Sequence, residues 1–297
     1  MNGVMSWRVL APYVFVAPAL VFVGVFLYGP VVFSVVLSFS DWNFIHPDFN
    51  FVGLQNYRRI FADPNFASAT WNTLLYCLGL IPAQILIPLG LAALLLRVRS
   101  PWMMNFYKGA LFLPTILAYS IAGVAWLWLF DPMNGFFNVV LTALGLPASR
   151  WHTDPDLALW CVTLVTFWKN FGLNMLLLFA ALISVPRDVL EAAEIDGASP
   201  WHRFWTIEVP LISPTFFFVA VTTVMNVLDD IVGTIDVLTG GGPFGQSSNI
   251  LYYMYQRGLG FFQFGQASAS AVLIIGLVMV VTWLQFRAFE RKVHYGS

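Results

Sequence analysis

The sequence predicts an all-α membrane protein with six transmembrane helices. Three observations predict it: the scarcity of charge, the length of the charge-free runs, and the placing of Lys and Arg between those runs. Hydrophobic residues make up 59% of the 297 residues and charged residues only 10%, against about 25% charged in a typical soluble domain. So few charges cannot cover a water-exposed surface of this size. The composition therefore excludes a secreted or cytosolic enzyme. A net charge of −1 gives no field to attract polyanions, so no nucleic-acid partner is expected. The apolar runs are long and continuous rather than alternating, which favours helices over a β-barrel.

A bilayer core takes about 20 mostly apolar helical residues. Residues 9–40, between Arg8 and Asp41, carry no charge and place a first span near 12–38. This run is much longer than a signal-peptide core and lacks a clear small-x-small cleavage site, so it is expected to be retained. The stretch before Arg97 places a second span near 70–96, and the run after Lys108 a third near 107–130. Residues 157–186, interrupted only by Lys169, place a fourth near 158–184. The last two fall near 208–231 and 268–289. The chain reads as one transmembrane domain over 1–297. Pro82, Pro88 and Pro114 are expected to break or bend spans two and three. The small residues from Gln266 to Ala271 suit close packing, a partner chain being one possible neighbour.

Orientation follows from the loops. With the N-terminus inside, nine basic residues face inward (Arg8, Arg97, Arg99, Lys108, Arg187, Arg203, Arg287, Arg291 and Lys292) and four outward (Arg58, Arg59, Arg150 and Arg257). Both termini are expected in the cytoplasm, as an even number of spans requires. The outer loops, near 39–69, 132–157 and 232–267, are too short for a separate catalytic domain. Cys77 and Cys161 sit in apolar stretches with no metal spacing and read as small apolar filler. His46, His152, His202 and His294 are scattered over loops and the tail rather than clustered.

Polar groups inside the spans are the first candidate site. Lys169 lies near the middle of span four, where a charge is costly and usually faces a cavity or a partner. Thr163, Thr166, Asn170 and Asn174 share one face of that helix, which Lys169 borders. Span five carries Thr222, Asn226 and Asp230 at intervals of four, with Asp229 beside them. Two readings stand. Lys169, Asn170, Asn174, Thr222, Asn226 and Asp230 line a path for a polyhydroxylated or phosphorylated solute. Alternatively, they join helices to one another, Lys169 pairing with a carboxylate or with carbonyls.

The second candidate is the inner loop at 185–207 and its junction with span five. The stretch from Val185 to Pro210 holds five of the chain's fifteen acidic residues. Pro186 can open a helix, and Asp188, Glu191 and Glu194 favour its N-terminal turns. Leu190, Ala193 and Ile195 are expected to give it an apolar side. Gly197 can end it with a positive φ, and Ser199-Pro200 can start a second short helix. The loop reads as helix, tight turn, helix. Ala192, Ala193 and Gly197 permit close approach by another protein.

Glu191-Ala192-Ala193, then Gly197, Ile207 and Pro210, resemble the EAA signature of ATP-binding-cassette importer permeases. Val209 stands where the signature has Leu, a mild apolar change. Gly53-Leu54-Gln55-Asn56-Tyr57, Gly240-Gly241-Gly242-Pro243 and Gln285-Phe286-Arg287 match the same family, so the likeness covers nearly the whole chain. It is greatest to the carbohydrate-uptake subfamily of maltose-type and glycerol-phosphate-type systems, and the tail Gln285 to Tyr295 looks closest to the glycerol-phosphate type. The resemblance implies the type I importer permease fold. It implies a non-catalytic subunit of a bacterial or archaeal inner membrane. It also implies a second, homologous permease, two ATPase subunits and an extracytoplasmic solute-binding protein as partners. The 185–207 loop would be a cytoplasmic coupling loop, with Glu191, Ala192, Ala193, Asp196, Gly197, Ile207 and Pro210 at the ATPase. No cofactor is implied in this chain, ATP and Mg being held by the partner ATPase. The sequence agrees in having no phosphate-binding G-x-x-x-x-G-K-[ST] loop. The rival reading is a secondary transporter driven by an ion gradient, for which Asp229 and Asp230 are the available intramembrane carboxylates. A membrane-embedded enzyme would need a converging nucleophile, base or metal set, and none stands out.

Overall fold

The computed structural model describes residues 7–44 and 48–290, with side chains for 11–44 and 48–287. His46, His294, Arg291, Lys292 and the end of the tail lie outside the described residues. Within them the regular structure is helical, joined by turns and loops, apart from one isolated bridge between Ser40 and Phe51. Four helices are long and apolar enough to cross a membrane, and two sharply bent helix pairs bring the number of spans to as many as six.

The chain divides into two compact units. The first comprises Met1–Asp63 and Met254–Gly276. Helix α1 (Trp7–Val23) runs through a π turn (Gly24–Tyr28) into α2 (Gly29–Leu37). Gly53-Leu54-Gln55-Asn56-Tyr57 then leads into α3 (Gln55–Ala62). Asn56 shows why an amide suits that place. It is buried, and its Nδ2 donates to the carbonyls of Ser38 at 3.0 Å and Ser40 at 2.8 Å. Those are carbonyls past the end of α2, which need donors once the helix has stopped. Arg257 pairs with Asp63 in the same unit. Ala269 and Ser270 are fully buried, and Ala267 lies against Gly258 of the same unit.

The second unit comprises Pro64–Tyr253 and Leu277–Ser297. It is built on α4 (Pro64–Leu95), α5 (Pro101–Ile116), α6 (Tyr119–Leu129), α7 (Phe136–Ala143) and α8 (Ala158–Ile183). There follow α9 (Arg187–Ile195), α10 (Pro200–Arg203), a π turn (Phe204–Glu208), α11 (Val209–Leu211), α12 (Ser213–Leu228) and α13 (Ile231–Leu238). Helix α14 (Ile250–Tyr255) and the long α15 (Phe264–Glu290) close the chain. Helix α8 is central. Its Val162 and Val165 join Tyr76, Trp126, Phe130 and Ile231 in one apolar cluster, and its Met175 and Leu178 join Leu89 and Ile212 in another. Gly172 lets α8 cross α5 closely: a Cβ there would overlap the backbone of Leu111 and come within 2.9 Å of Phe112 Cα.

Two expected spans are not straight helices. The segment near 107–130 divides into α5 and α6, which meet at 100°, and the segment near 208–231 bends by 64° at Ile212. The prolines act unevenly. Helix α4 continues through Pro82 and Pro88, as membrane helices allow when neighbouring groups re-satisfy the freed carbonyls. The α5–α6 break follows Pro114 rather than preceding it, with Leu117 and Ala118 extended at ψ 144° and 148°. A proline ring clashes with the turn before it, so the ring does not make this break.

Candidate functional site

The groups that hold the break come from α8. Lys169 is buried, and its Nζ donates to the Thr115 carbonyl at 3.1 Å. The Thr115 hydroxyl donates back to the Lys169 carbonyl at 2.9 Å. In a continuous helix the Thr115 carbonyl would accept from the amide of Tyr119, so the break leaves it without that donor. The ammonium replaces the donor and sets a positive charge at the negative end of α5. It also lies over the Tyr119 ring, 4.1 Å from its centroid, a favourable cation–π position.

A chain of polar contacts leads on from there. Asn170 Nδ2 donates to the Tyr119 hydroxyl at 2.9 Å, and that hydroxyl reaches Asp230 Oδ2 at 3.4 Å. Asn226, with its amide oriented to satisfy both ends, donates to Asp230 Oδ2 at 3.1 Å and to the Thr222 carbonyl at 3.3 Å. Asp230 also precedes α13 as its N-cap residue. The structure therefore brings Lys169, Asn170, Asn226 and Asp230 around Tyr119, where α5–α6 and α12–α13 are interrupted. Two other expected path residues behave differently. Asn174 donates at 2.7 Å to Gln84 of α4, a buried contact between helices. The Thr222 hydroxyl donates to carbonyls of its own helix. Tyr119 and Thr115 of this cluster, and Gln84 beside Asn174, were not legible in the sequence. An aromatic at an apolar run's midpoint and an uncharged amide carry no signal of their own.

The 185–207 region folds as helix, turn, helix. Helix α9 ends with the Gly197 amide donating to Glu194 at 3.1 Å and the Ala198 amide to Ala193 at 3.0 Å, the paired bonds of a Schellman stop. Gly197 takes φ +79°, a conformation an L side chain resists. The Ser199 hydroxyl accepts from the His202 amide at 3.3 Å and caps α10. Ala193 is buried and Leu190 packs on the apolar cluster beneath, but Ile195 is 87% exposed. Ile195 therefore belongs to the outward surface and not to the inward apolar side expected of it. Glu191, Ala192, Asp196, Gly197 and Pro210 are exposed too, and Ile207 is half-buried. Arg203, which the spacing did not single out, braces the turn. Its Nε lies 3.2 Å from the buried carboxylate of Glu208 and its Nη1 3.8 Å from Glu194.

A multi-pass helical membrane protein with a polar seam at its helix breaks and an exposed helical turn beside its spans has the features that suit a transport permease. The sequence agrees: residues 9–295 match the family of binding-protein-dependent transport system inner membrane components, and the chain belongs to that family. It is 34% identical to a probable ABC transporter permease protein of Pyrococcus horikoshii, over 92% of this chain and 94% of that one. It is 31% identical to the sn-glycerol-3-phosphate transport system permease protein UgpA of Agrobacterium fabrum, over the full length of both. Among solved structures, a bacterial alginate ABC transporter in complex with alginate pentasaccharide-bound periplasmic protein superimposes with a TM-score of 0.83. That match has 22% identity and covers 96% of this chain and 97% of that one. The protein is thus a non-catalytic permease subunit of a binding-protein-dependent importer, with the type I permease fold.

Proposed function

We infer that this chain forms half of the translocation path of an ATP-driven importer and couples that path to a separate ATPase through the 185–207 loop. The observation that carries the coupling is the outward surface of that loop. Glu191, Ala192, Asp196 and Gly197 stand exposed beside Ile195, on a turn fixed by Arg203 and by the Schellman bonds. A rigid turn with an exposed apolar residue and carboxylates can transmit force only if another protein seats on it. The ATPase, with its ATP and Mg, takes that place, and both termini lie on the same cytoplasmic side. A second permease completes the path, a pair of ATPases drives it, and an extracytoplasmic binding protein delivers the solute.

The solute is a sugar or a sugar or polyol phosphate. Glycerol 3-phosphate is named for relatives, and an acidic polysaccharide for a structural neighbour. The path runs past Lys169, Asn170, Asn226 and Asp230, whose amides and carboxylate, with the Tyr119 hydroxyl, suit hydroxyl-rich solutes. Asn174 and Thr222 border it.

The test is the composition and coupling of the tagged complex. Wild type should co-purify with a second permease and an ATPase, and Glu191→Lys should lose the ATPase. Gly197→Leu should leave ATP hydrolysis running while uptake in vesicles falls. Uptake at the wild-type rate in Gly197→Leu would overturn the coupling role. Transport that needs no ATP and stops with an uncoupler would favour an ion-gradient-driven transporter.

A further inference from the structure

A groove of about 1350 Å³ runs along the last turns of α4 and is closed on its other side by residues 199–208. This exceeds the roughly 300–1,000 Å³ of ordinary small-molecule pockets. Its α4 wall is apolar, with Leu86, Ile87 and Leu94 about half exposed. The opposite wall carries Trp201 and Trp205, whose rings meet edge to face at 5.6 Å. The α4 wall is the end of a membrane-crossing helix, so the groove opens where acyl chains give way to headgroups. Tryptophans favour that layer.

The charges lining the groove are Arg97, Arg203 and Glu208. The Glu208 carboxylate is met by Arg203 at 3.2 Å. Arg97 is exposed, and no ion pair of its own is found among the described residues. The groove thus has an apolar floor and one uncompensated guanidinium at its mouth. A guanidinium binds phosphate oxygens through paired N–H donors, and basic pockets between membrane helices suit acidic headgroups.

We propose that this groove is a binding site for an anionic phospholipid, its phosphate on Arg97 and an acyl chain along Leu86–Leu94. The lipid would fill the space between α4 and the second arm of the 185–207 loop, supporting that arm from the membrane side. The proposal does not depend on the solute.

The test uses the whole complex, extracted with its native lipids and weighed by native mass spectrometry. Two variants probe the two ends of the site. Arg97→Gln removes the headgroup contact. Gly90→Phe fills the groove, because a side chain at Gly90 meets no atom within 4 Å at its Cβ. Wild type should retain an anionic phospholipid, and Arg97→Gln should retain about fivefold less. Gly90→Phe should lose it while still assembling. In vesicles of phosphatidylcholine, adding phosphatidylglycerol should raise ATP hydrolysis by the wild-type complex but not by the Gly90→Phe complex. Equal retention by all three proteins, or no anionic lipid on wild type, overturns the site. A Gly90→Cys complex that cross-links to another protein chain also overturns it, since the groove would then be a protein interface.

Discussion

The helix through α1 and α2, at Ala11–Leu37, and helix α8, at Ala158–Ile183, are both long enough to cross a bilayer, yet they are built on opposite terms. The first has a mean hydropathy of 2.5 with 6% of that window buried inside the chain, and the second has 1.4 with 50% buried. The more apolar helix is the one that its own chain does not cover. Lipid is as apolar as leucine, so a helix facing it gains nothing from polar groups. A helix surrounded by protein can carry Lys169, Asn170 and Asn174 because neighbouring carbonyls and amides meet them. Among the four unbroken spanning helices the most hydrophobic is the least covered by its own chain, and the least hydrophobic, α8, carries the polar site.

That contrast can be broken most strongly at the closest approach in the second unit. Gly172→Val drives a Cβ bearing two methyl groups into the Leu111 backbone and should cost about 3 kcal/mol or more. Little folded complex should be recovered from membranes, whereas Val21→Ala on α1, where the side chain is 63% exposed, should be recovered as wild type. Next in size is a charge moved to the exposed helix. Val21→Lys should cost about 2.5 kcal/mol of insertion, measured as the fraction of the first span inserted in a glycosylation-mapping assay. Native insertion would show that α1 is covered by polar neighbours.

Lys169→Met should come third. It strips the Thr115 carbonyl of its donor, at about 1–3 kcal/mol, and should lower maximal uptake about tenfold with the KM unchanged. A raised KM at constant maximal rate would make Lys169 a solute ligand rather than the clamp of the α5–α6 break. The smallest effect is expected from Asn174→Leu, which takes from Gln84 Oε1 the Asn174 donor while Gln84 Nε2 keeps the Phe167 carbonyl. It should lower the melting midpoint by the equivalent of about 1 kcal/mol and leave transport intact. Loss of transport without loss of stability would return Asn174 to the solute path.

Composition and run length alone indicated the membrane class and the helical fold, since these depend on local chain chemistry and on bilayer thickness. The stop at Gly197 and the cap at Ser199 were legible for the same reason: each acts on its own few residues. The polar stripe of α8 was legible as a face, but not in what each residue meets. Lys169 is separated by more than fifty residues from Thr115, and Tyr119 by more than a hundred from Asp230. No spacing rule reaches across such distances. Pro114 leads one to expect a bend in span three, but the break falls after it, at Leu117–Ala118, where an ammonium on another helix meets the Thr115 carbonyl. Ile195 looked like an inward residue because period counting cannot tell where a helix's supporting surface ends. Local conformation and solvent preference are properties of short stretches of chain. Helix breaks, caps supplied from a distance and the pairing of buried polar groups depend on which segments meet, and only the tertiary structure decided that.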